Sequence, residues 1–554
     1  MERRDYDYYE ANVADINLAD ITSSKNNAEI IRRLLDGDDT LGYLTLGTYA
    51  GWSKNYFHVG KGDDLGWLGY FIGKSEYFHH LFIRILHDGE GREQQIHAFM
   101  EGIARSQSIR ALTCTNLGDN VSEAIVRALG SLSQLEELFY GFLSLGPNGF
   151  SALGTLLESG VLKLKELSLE DCIGDDCVAS LANGLKSIGP SLKLLNLKDN
   201  YIGNEGLSAL VAALANCTSL EELDLSSNDF SMASAGLGSL SNWLQAAVLK
   251  LNELSLRSCG IKDEGLQALA NGATNHCKDL DLSENNSITV LGLRHLSTSL
   301  QSESCRLEKL DLGWMDIGDD GAEVLARGLI GNKVLIRMHL CGEGEDEDET
   351  IAITPAGWSA FSPVLCDTSS VNNTYLSNHT IQELWHCDVF DFINIDEDIV
   401  QYLRLNKAHP QYAARCKILM NHAHLDMTPL LQWELKCLPL AVGWFERATI
   451  CTTLTIHNSN PDSSRLILEE SKEVFQSRIL TALYEFVRGV PKKVLERRDE
   501  LALVALYDDK IAMIQQDVES RKRKITQLEE ENKRLRGVVE SARNVLEAER
   551  FISR

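Results

Sequence analysis

One pattern limits what this chain can become. Leu-x-x-Leu-x-Leu returns at Leu164/Leu167/Leu169, Leu192/Leu195/Leu197, Leu220/Leu223/Leu225, Leu251/Leu254/Leu256 and Leu307/Leu310/Leu312. Substituted copies begin at Phe78, Ile109, Leu135, Cys277 and Leu335, and weaker ones at Leu41, Val371 and Val400. The copies recur about every 28 to 29 residues. Each continues into a second half. An Asn or Cys (Asn200, Asn228, Cys259, Asn285) stands three residues past the last Leu, and a Gly-Leu-x-x-Leu-x-x-x-Leu frame follows, as in Gly206-Leu207/Leu210/Leu214 and Gly292-Leu293/Leu296/Leu300.

The two halves have different periods. Leu-x-Leu has a spacing of two, which sends both side chains to one face of a strand. The 3/4 spacing that follows lines one face of a helix. A single strand–helix unit cannot bury its apolar face, but stacked neighbours close a continuous core, each buried Leu contributing roughly 1.5–3 kcal/mol. The Asn/Cys side chains are expected to pair backbone groups left open where the strand turns away. The predicted class is α/β: a solenoid with a curved parallel sheet inside and helices outside.

These units resemble the leucine-rich repeat superfamily, in the long-repeat class typified by ribonuclease inhibitor. The resemblance covers roughly residues 41–405. The segments 65–78 (LGWLGYFIGKSEYF), 376–385 and 438–448 look like those of predicted leucine-rich proteins of diatom-type algae, a family with no assigned activity to carry over.

The rest of the 554 residues divides around the array. Residues 1–40 read as a flexible polar arm with one helix, 41–77 as an aromatic N-terminal cap, and 78–408 as the solenoid. Within the solenoid, 341–370 reads as a solvated acidic loop carrying GEGEDEDET. Residues 409–497 read as a helical C-terminal cap. In 498–554 the period changes to a heptad, with Ile511, Val518, Ile525, Asn532, Val539 and Leu546 on one position and Ile514, Leu528, Leu535 and Ala542 on its partner. β-branched residues at the first position, Leu at the second and one Asn predict a parallel two-stranded coiled coil, a homodimer through residues 508–549.

Charge narrows the function. Lys+Arg 53 against Asp+Glu 80 gives a formal charge of −27, which repels nucleic acid and anionic lipid and favours a basic protein surface. The basic run Arg521–Lys524 precedes a zipper, yet 13 basic against 12 acidic side chains over 497–554 fall short of the excess DNA binding needs. The 13 Cys form no C-x-x-C pair and read as reduced, buried thiols. No apolar signal region opens the chain and no stretch of about 18 uncharged apolar residues occurs, so the expected location is the cytoplasm or nucleus. No nucleotide loop, nucleophile elbow, kinase set or H-E-x-x-H appears, so no enzyme activity and no cofactor are expected. Cys416, His422, His424 and Asp426 are the best metal candidates, at a spacing that fits no common site.

The informative surface is the inner strand face. Its two outward columns read Glu166, Leu194, Glu222, Glu253, Asp279, Lys309 and Ser168, Asn196, Asp224, Ser255, Asp281, Asp311, with Trp314 at one strand end. Glu222, Asp224, Glu253, Asp279, Asp281, Asp311 and Trp314 are the expected contacts to a basic partner. The expected function is a non-catalytic interaction scaffold. The repeat length and acidic run also look like Ran GTPase-activating proteins, an alternative onto which no active-surface residue is carried over. Deleting residues 500–554 is expected to convert dimer to monomer, read as a halved mass by light scattering.

Overall fold

The computed structural model describes residues 5–48, 54–60, 64–86, 93–141, 147–171, 174–246, 251–340, 353–384, 396–408, 410 and 413–422. The acidic run 342–350, His424, Asp426 and the coiled coil lie outside these residues, as does the cap region beyond 422.

Strand and helix alternate as the two periods require. The strands are β1 (Tyr43–Gly47), β2 (Tyr56–His58), β3 (His80–Leu86), β4 (Ala111–Leu117), β5 (Glu137–Gly141), β6 (Glu166–Glu170), β7 (Leu194–Asn196), β8 (Glu222–Asp224), β9 (Leu251–Ser255), β10 (Cys277–Asp281), β11 (Lys309–Asp311) and β12 (Arg337–His339). They form one parallel sheet in which β3 to β12 follow sequence order and β1 lies between β3 and β2. Leu167, Leu195, Leu223, Leu254, Leu280 and Leu310 stand in register on six adjacent strands and are at most 1% exposed. A helix follows β3 to β11 in turn, for example Asn204–Leu214 after β7, and buries Leu207, Leu210 and Leu214 against the same core. The expected solenoid is the fold observed.

Leaving the sheet strands backbone groups, and a polar ladder pairs them. Asn228 donates from Nδ2 to the carbonyls of Leu197 (2.9 Å) and Leu225 (2.8 Å), and its Oδ1 accepts the Ile202 N–H at 3.0 Å. Asn285 repeats this with Leu256 (2.9 Å) and Leu282 (2.8 Å) and accepts the N–H groups of Cys259 and Ile261. In the unit between them Cys259 donates its thiol to Leu225 O at 3.2 Å. The residue before each ladder position has φ near +55°: Asp199, Ser227, Ser258, Glu284 and Trp314. Short polar side chains tolerate that left-handed corner; a Trp there costs roughly 1–2 kcal/mol.

A second ladder, which the repeat pattern does not announce, explains the recurrent Gly. Asp263 opens the helix Asp263–His276, and its Oδ1 accepts the N–H of Thr289 (2.7 Å) and Gly292 (3.0 Å) at the start of the next helix. Asp175 does the same for Gly203 and Gly206, and Asp319 for Thr354. A Cβ on Gly206, Gly292 or Gly357 would meet the Asp oxygen at 2.2, 2.5 or 2.4 Å. The Gly is required by this close approach.

Three expectations change. The N-terminal arm is not a flexible tail over its described part: helices run Tyr6–Asn12, Leu18–Ile21 and Lys25–Leu35. Tyr6 and Tyr9 are buried against Tyr70 and Trp67, with ring centroids 5.1 and 4.9 Å apart, and so anchor the arm. Trp67, Tyr70 and Phe71 of the aromatic segment are buried. The copies at Val371 and Val400 are helices, Val371–Leu376 and Glu397–Ala408, and the sheet edge at β12 is instead met by Glu383, bridged to Arg337. Residues 355–365 are also helical, Pro355–Ser359 and Phe361–Leu365, because Trp358 and Phe361 bury where a solvated loop would expose them. In the helix Ala413–Asn421, buried Lys417 donates to the carbonyls of Leu365 (2.7 Å) and Asn378 (3.0 Å), and burial pulls its ammonium down to about 7.

Asn285→Ala leaves two carbonyls and two N–H groups without their side-chain partner. We expect a loss of about 3 kcal/mol in denaturant unfolding, against a fraction of that for an exposed Asn→Ala control.

Candidate partner-binding face

The residues between the buried leucines look out from the other side of the sheet, and register sorts them into rows. Just before the strands lies an edge row that neutralises itself: Lys165–Glu136 (2.7 Å), Lys193–Glu221 (2.9 Å) and Lys278–Glu308 (3.7 Å) pair across neighbouring units. The next row runs Glu137, Glu166, Leu194, Glu222, Glu253, Asp279, Lys309, Arg337 from β5 to β12. The row after it runs Phe139, Ser168, Asn196, Asp224, Ser255, Asp281, Asp311, His339.

These rows are acidic in the middle and paired at one end. Among the described residues no cation lies within ion-pair distance of Glu137, Glu166, Glu222, Asp224, Glu253 or Asp281. By contrast Asp279 pairs with Lys309 at 2.9 Å and Asp311 with His339 Nδ1 at 2.9 Å. Arg337 and Lys407 both reach Glu383, so the face beyond β11 is balanced.

Crowding shows in protonation. Burial, then the charges of Glu137 and Glu222, raise the Glu166 carboxyl above its usual range. Burial, then Asp279 and Glu222, raise Glu253, with Lys309 offsetting part. Burial raises Asp281, and its bonds from Ser283 offset only part. Burial also acts to raise Asp311, but the bonds from His339 and the Gly313 N–H prevail and hold it low.

All seven expected contacts lie at this sheet or its edge, in differing situations. Glu222 and Glu253 stand on the row with exposed side chains. Asp224 and Asp281 also help close their own strands, since one oxygen of each accepts the N–H two residues on, from Ser226 and Ser283, at 2.9 Å, and Asp311 does so for Gly313. Trp314 is half-buried at the corner past β11, with φ +58°, where an exposed strand-end Trp was expected. Sequence reasoning passed over Glu137, which occupies the same position as Glu166 in a unit whose last leucine is replaced by Tyr140. It also passed over His339, whose ring caps Asp311.

Other chemistry finds little footing among the described residues. No group of three His, Cys, Asp or Glu could hold a metal there, and Cys416 is buried. Burial pushes the thiols of Cys217, Cys259 and Cys277 up to about 12, which keeps them protonated and inert. No helix there is long and apolar enough to cross a membrane.

Comparison with known proteins agrees with this geometry. The family profile described as "Leucine Rich repeat" matches residues 190–211, 216–235, 249–270 and 303–326, each a strand and the turn or helix beside it. The array is a leucine-rich repeat solenoid. The ribonuclease inhibitor of Sus scrofa is 28% identical over 247 residues, 39% of this chain and 53% of that protein. The ribonuclease inhibitor of Mus musculus is 26% identical over 310 residues, 45% and 66%. The Tonsoku-like protein of Mus musculus is 33% identical over 213 residues, 36% and 15%. The chain therefore spans 15% to 66% of the length of these relatives, and its repeats are of the ribonuclease-inhibitor-like kind.

Glu166 and Glu253 have folded values above their unfolded ones, so each opposes folding at neutral pH and that cost fades as pH falls through their raised range. We expect Glu253→Gln to stabilise the protein at pH 7, by less than about 1 kcal/mol given its exposure, with the gain vanishing near pH 4. Melting temperatures at the two pH values check this.

Proposed function

We propose that this leucine-rich repeat protein is a non-catalytic scaffold that holds a protein partner with a basic surface on the acidic open face of the array. One observation carries the reading. Glu137, Glu166, Glu222, Asp224, Glu253 and Asp281 gather on five of the six strands from β5 to β10 without a matching cation among the described residues, beside an edge row that neutralises its own charge. A fold that pairs charge at the edge and leaves it open on the face retains a field that speeds and orients a cationic partner. Asp279, Asp311 and Trp314 complete the proposed contact set, and partner binding would compete for Lys309 and His339. Extended inner surfaces of this kind are what repeat arrays commonly offer partners. A parallel dimer through residues 508–549 would present two faces and raise avidity by roughly 10²–10⁴ where both engage one assembly. The same net charge argues against nucleic acid and membrane as partners, and the cytoplasm or nucleus is the proposed location.

The test uses Glu222→Lys with Glu253→Lys, because neither side chain takes part in closing a strand end. Partners captured from lysate by the full-length protein are identified by mass spectrometry and remeasured in purified form. The double variant should lose at least tenfold in affinity, with an unchanged or higher melting temperature, and wild-type binding should weaken steeply with salt. Equal affinity in the variant, or acceleration of GTP hydrolysis by a purified Ran-type GTPase, would overturn the scaffold reading.

A further inference from the structure

The acidic rows do not run the whole sheet. Followed toward the N-terminus they change character at β5. The first row continues from Glu137 to Ala111, His80 and Tyr43, and the second from Phe139 to Thr113, Phe82 and Thr45. Tyr43 is 49% exposed, and His80, Phe82 and Phe139 are half-buried, each keeping part of its ring open to solvent. His80 and Phe82 lie two residues apart on one strand face and stack with ring centroids 3.9 Å apart and planes 16° from parallel. His80 Nε2 meets Thr113 Oγ1 at 3.2 Å, which sets the ring's orientation. Four rings thus share one stretch of open sheet face, and the nearest of them, Phe139, lies on the same strand as Glu137.

Resting on the scaffold reading, we propose that this N-terminal aromatic platform and the acidic rows form one bipartite site for a protein segment with an aromatic or aliphatic anchor followed by several Lys or Arg. Two features fix the partner's chemistry. Partly exposed rings on a rigid sheet supply apolar contact area at low entropic cost, the usual basis of binding hot spots. The neighbouring carboxylates demand positive charge. Burial keeps the His80 imidazole below its usual value, with Glu137 offsetting part, so at pH 7 the platform is uncharged and does not repel the basic stretch. Arg84 is exposed on the same strand one row further, level with Thr115 and Gly141, and directs cations away from the platform toward β8.

Strand spacing sets the separation of the two halves. Neighbouring strands lie about 4.8 Å apart, so three to five steps, from β5 or β3 to β8, span about 14–24 Å. An extended segment covers that in about four to seven residues. The anchor and the basic residue that meets Glu222 on β8 should be that far apart, with Glu137 and Glu166 between them.

The experiment is selection of a phage-displayed random 16-residue peptide library on purified full-length protein, on Phe82→Ser with Phe139→Ser, and on Glu222→Lys with Glu253→Lys, all checked for equal melting temperature. Wild type should enrich peptides with an apolar anchor about four to seven residues from a Lys/Arg cluster. The phenylalanine variant should keep the basic preference and lose the anchor, and the charge variant the reverse. A selected peptide should lose at least tenfold in affinity to either variant by fluorescence anisotropy. If the serine variant melts lower, Phe82→Leu with Phe139→Leu replaces it and should shift the anchor from aromatic to aliphatic. Basic peptides without an anchor, or identical preferences in wild type and phenylalanine variants, would overturn the bipartite site and leave the acidic face standing. No enrichment on wild type would overturn both.

Discussion

Pairing of backbone groups at the strand exits is the constraint on which the rest depends. A solenoid turns its chain out of the sheet once per unit, and each turn buries N–H and C=O groups that water cannot reach. The column of Asn200, Asn228, Cys259 and Asn285 answers this, each side chain reaching a carbonyl of its own unit or the unit before. Because each bridge joins neighbours, units are held in register by polar as well as apolar contacts. The Asp175, Asp263 and Asp319 bonds repeat the device on the helix side. The strands are then stiff enough to hold side chains of like charge close together.

That rigidity bears on the acidic face. Burial first, and then the like charges of carboxylates on strands spaced about 4.8 Å apart, raise Glu166 and Glu253. A flexible surface would relax by turning them apart. Here the leucines behind each strand and the ladders at both ends oppose relaxation, so the repulsion persists in the folded protein. In a repeat array stability is nearly a sum over units and their interfaces. The units of β11 and β12, whose charges are matched by Lys309, His339 and Arg337, add no such cost.

Much of this was legible in the sequence because it rests on local period. Leu223 and Leu225 announce a strand by their spacing, and Leu207, Leu210 and Leu214 a helix. The role of Asn228 followed from its fixed distance past the strand. What escaped depends on pairs far apart in sequence. Asp263 gains meaning only beside Gly292, and Asp279 only beside Lys309, about one repeat away. Tyr9 reads as polar until Trp67 packs on it. Val371 and Val400 mimic the repeat, but the leucine spacing there serves helices, and Glu383 meets the sheet edge instead. The Asp224 and Asp281 columns were read as pure surface, although half of each carboxylate closes its own strand.

Trp314 brings these threads together. Its corner is one that polar residues occupy in the preceding units, and the left-handed backbone there disfavours a bulky side chain. Nothing in the ladder requires a ring at that position, since the Asp311–Gly313 bond closes the strand by itself. The strain is thus not demanded by the fold, and strain that the fold does not demand tends to collect where a surface works. Its location fits that view: the corner follows Asp311, where the unpaired acidic rows give way to balanced charge. In the proposed scaffold an uncharged indole there would add contact to a cationic partner without opposing the acidic field.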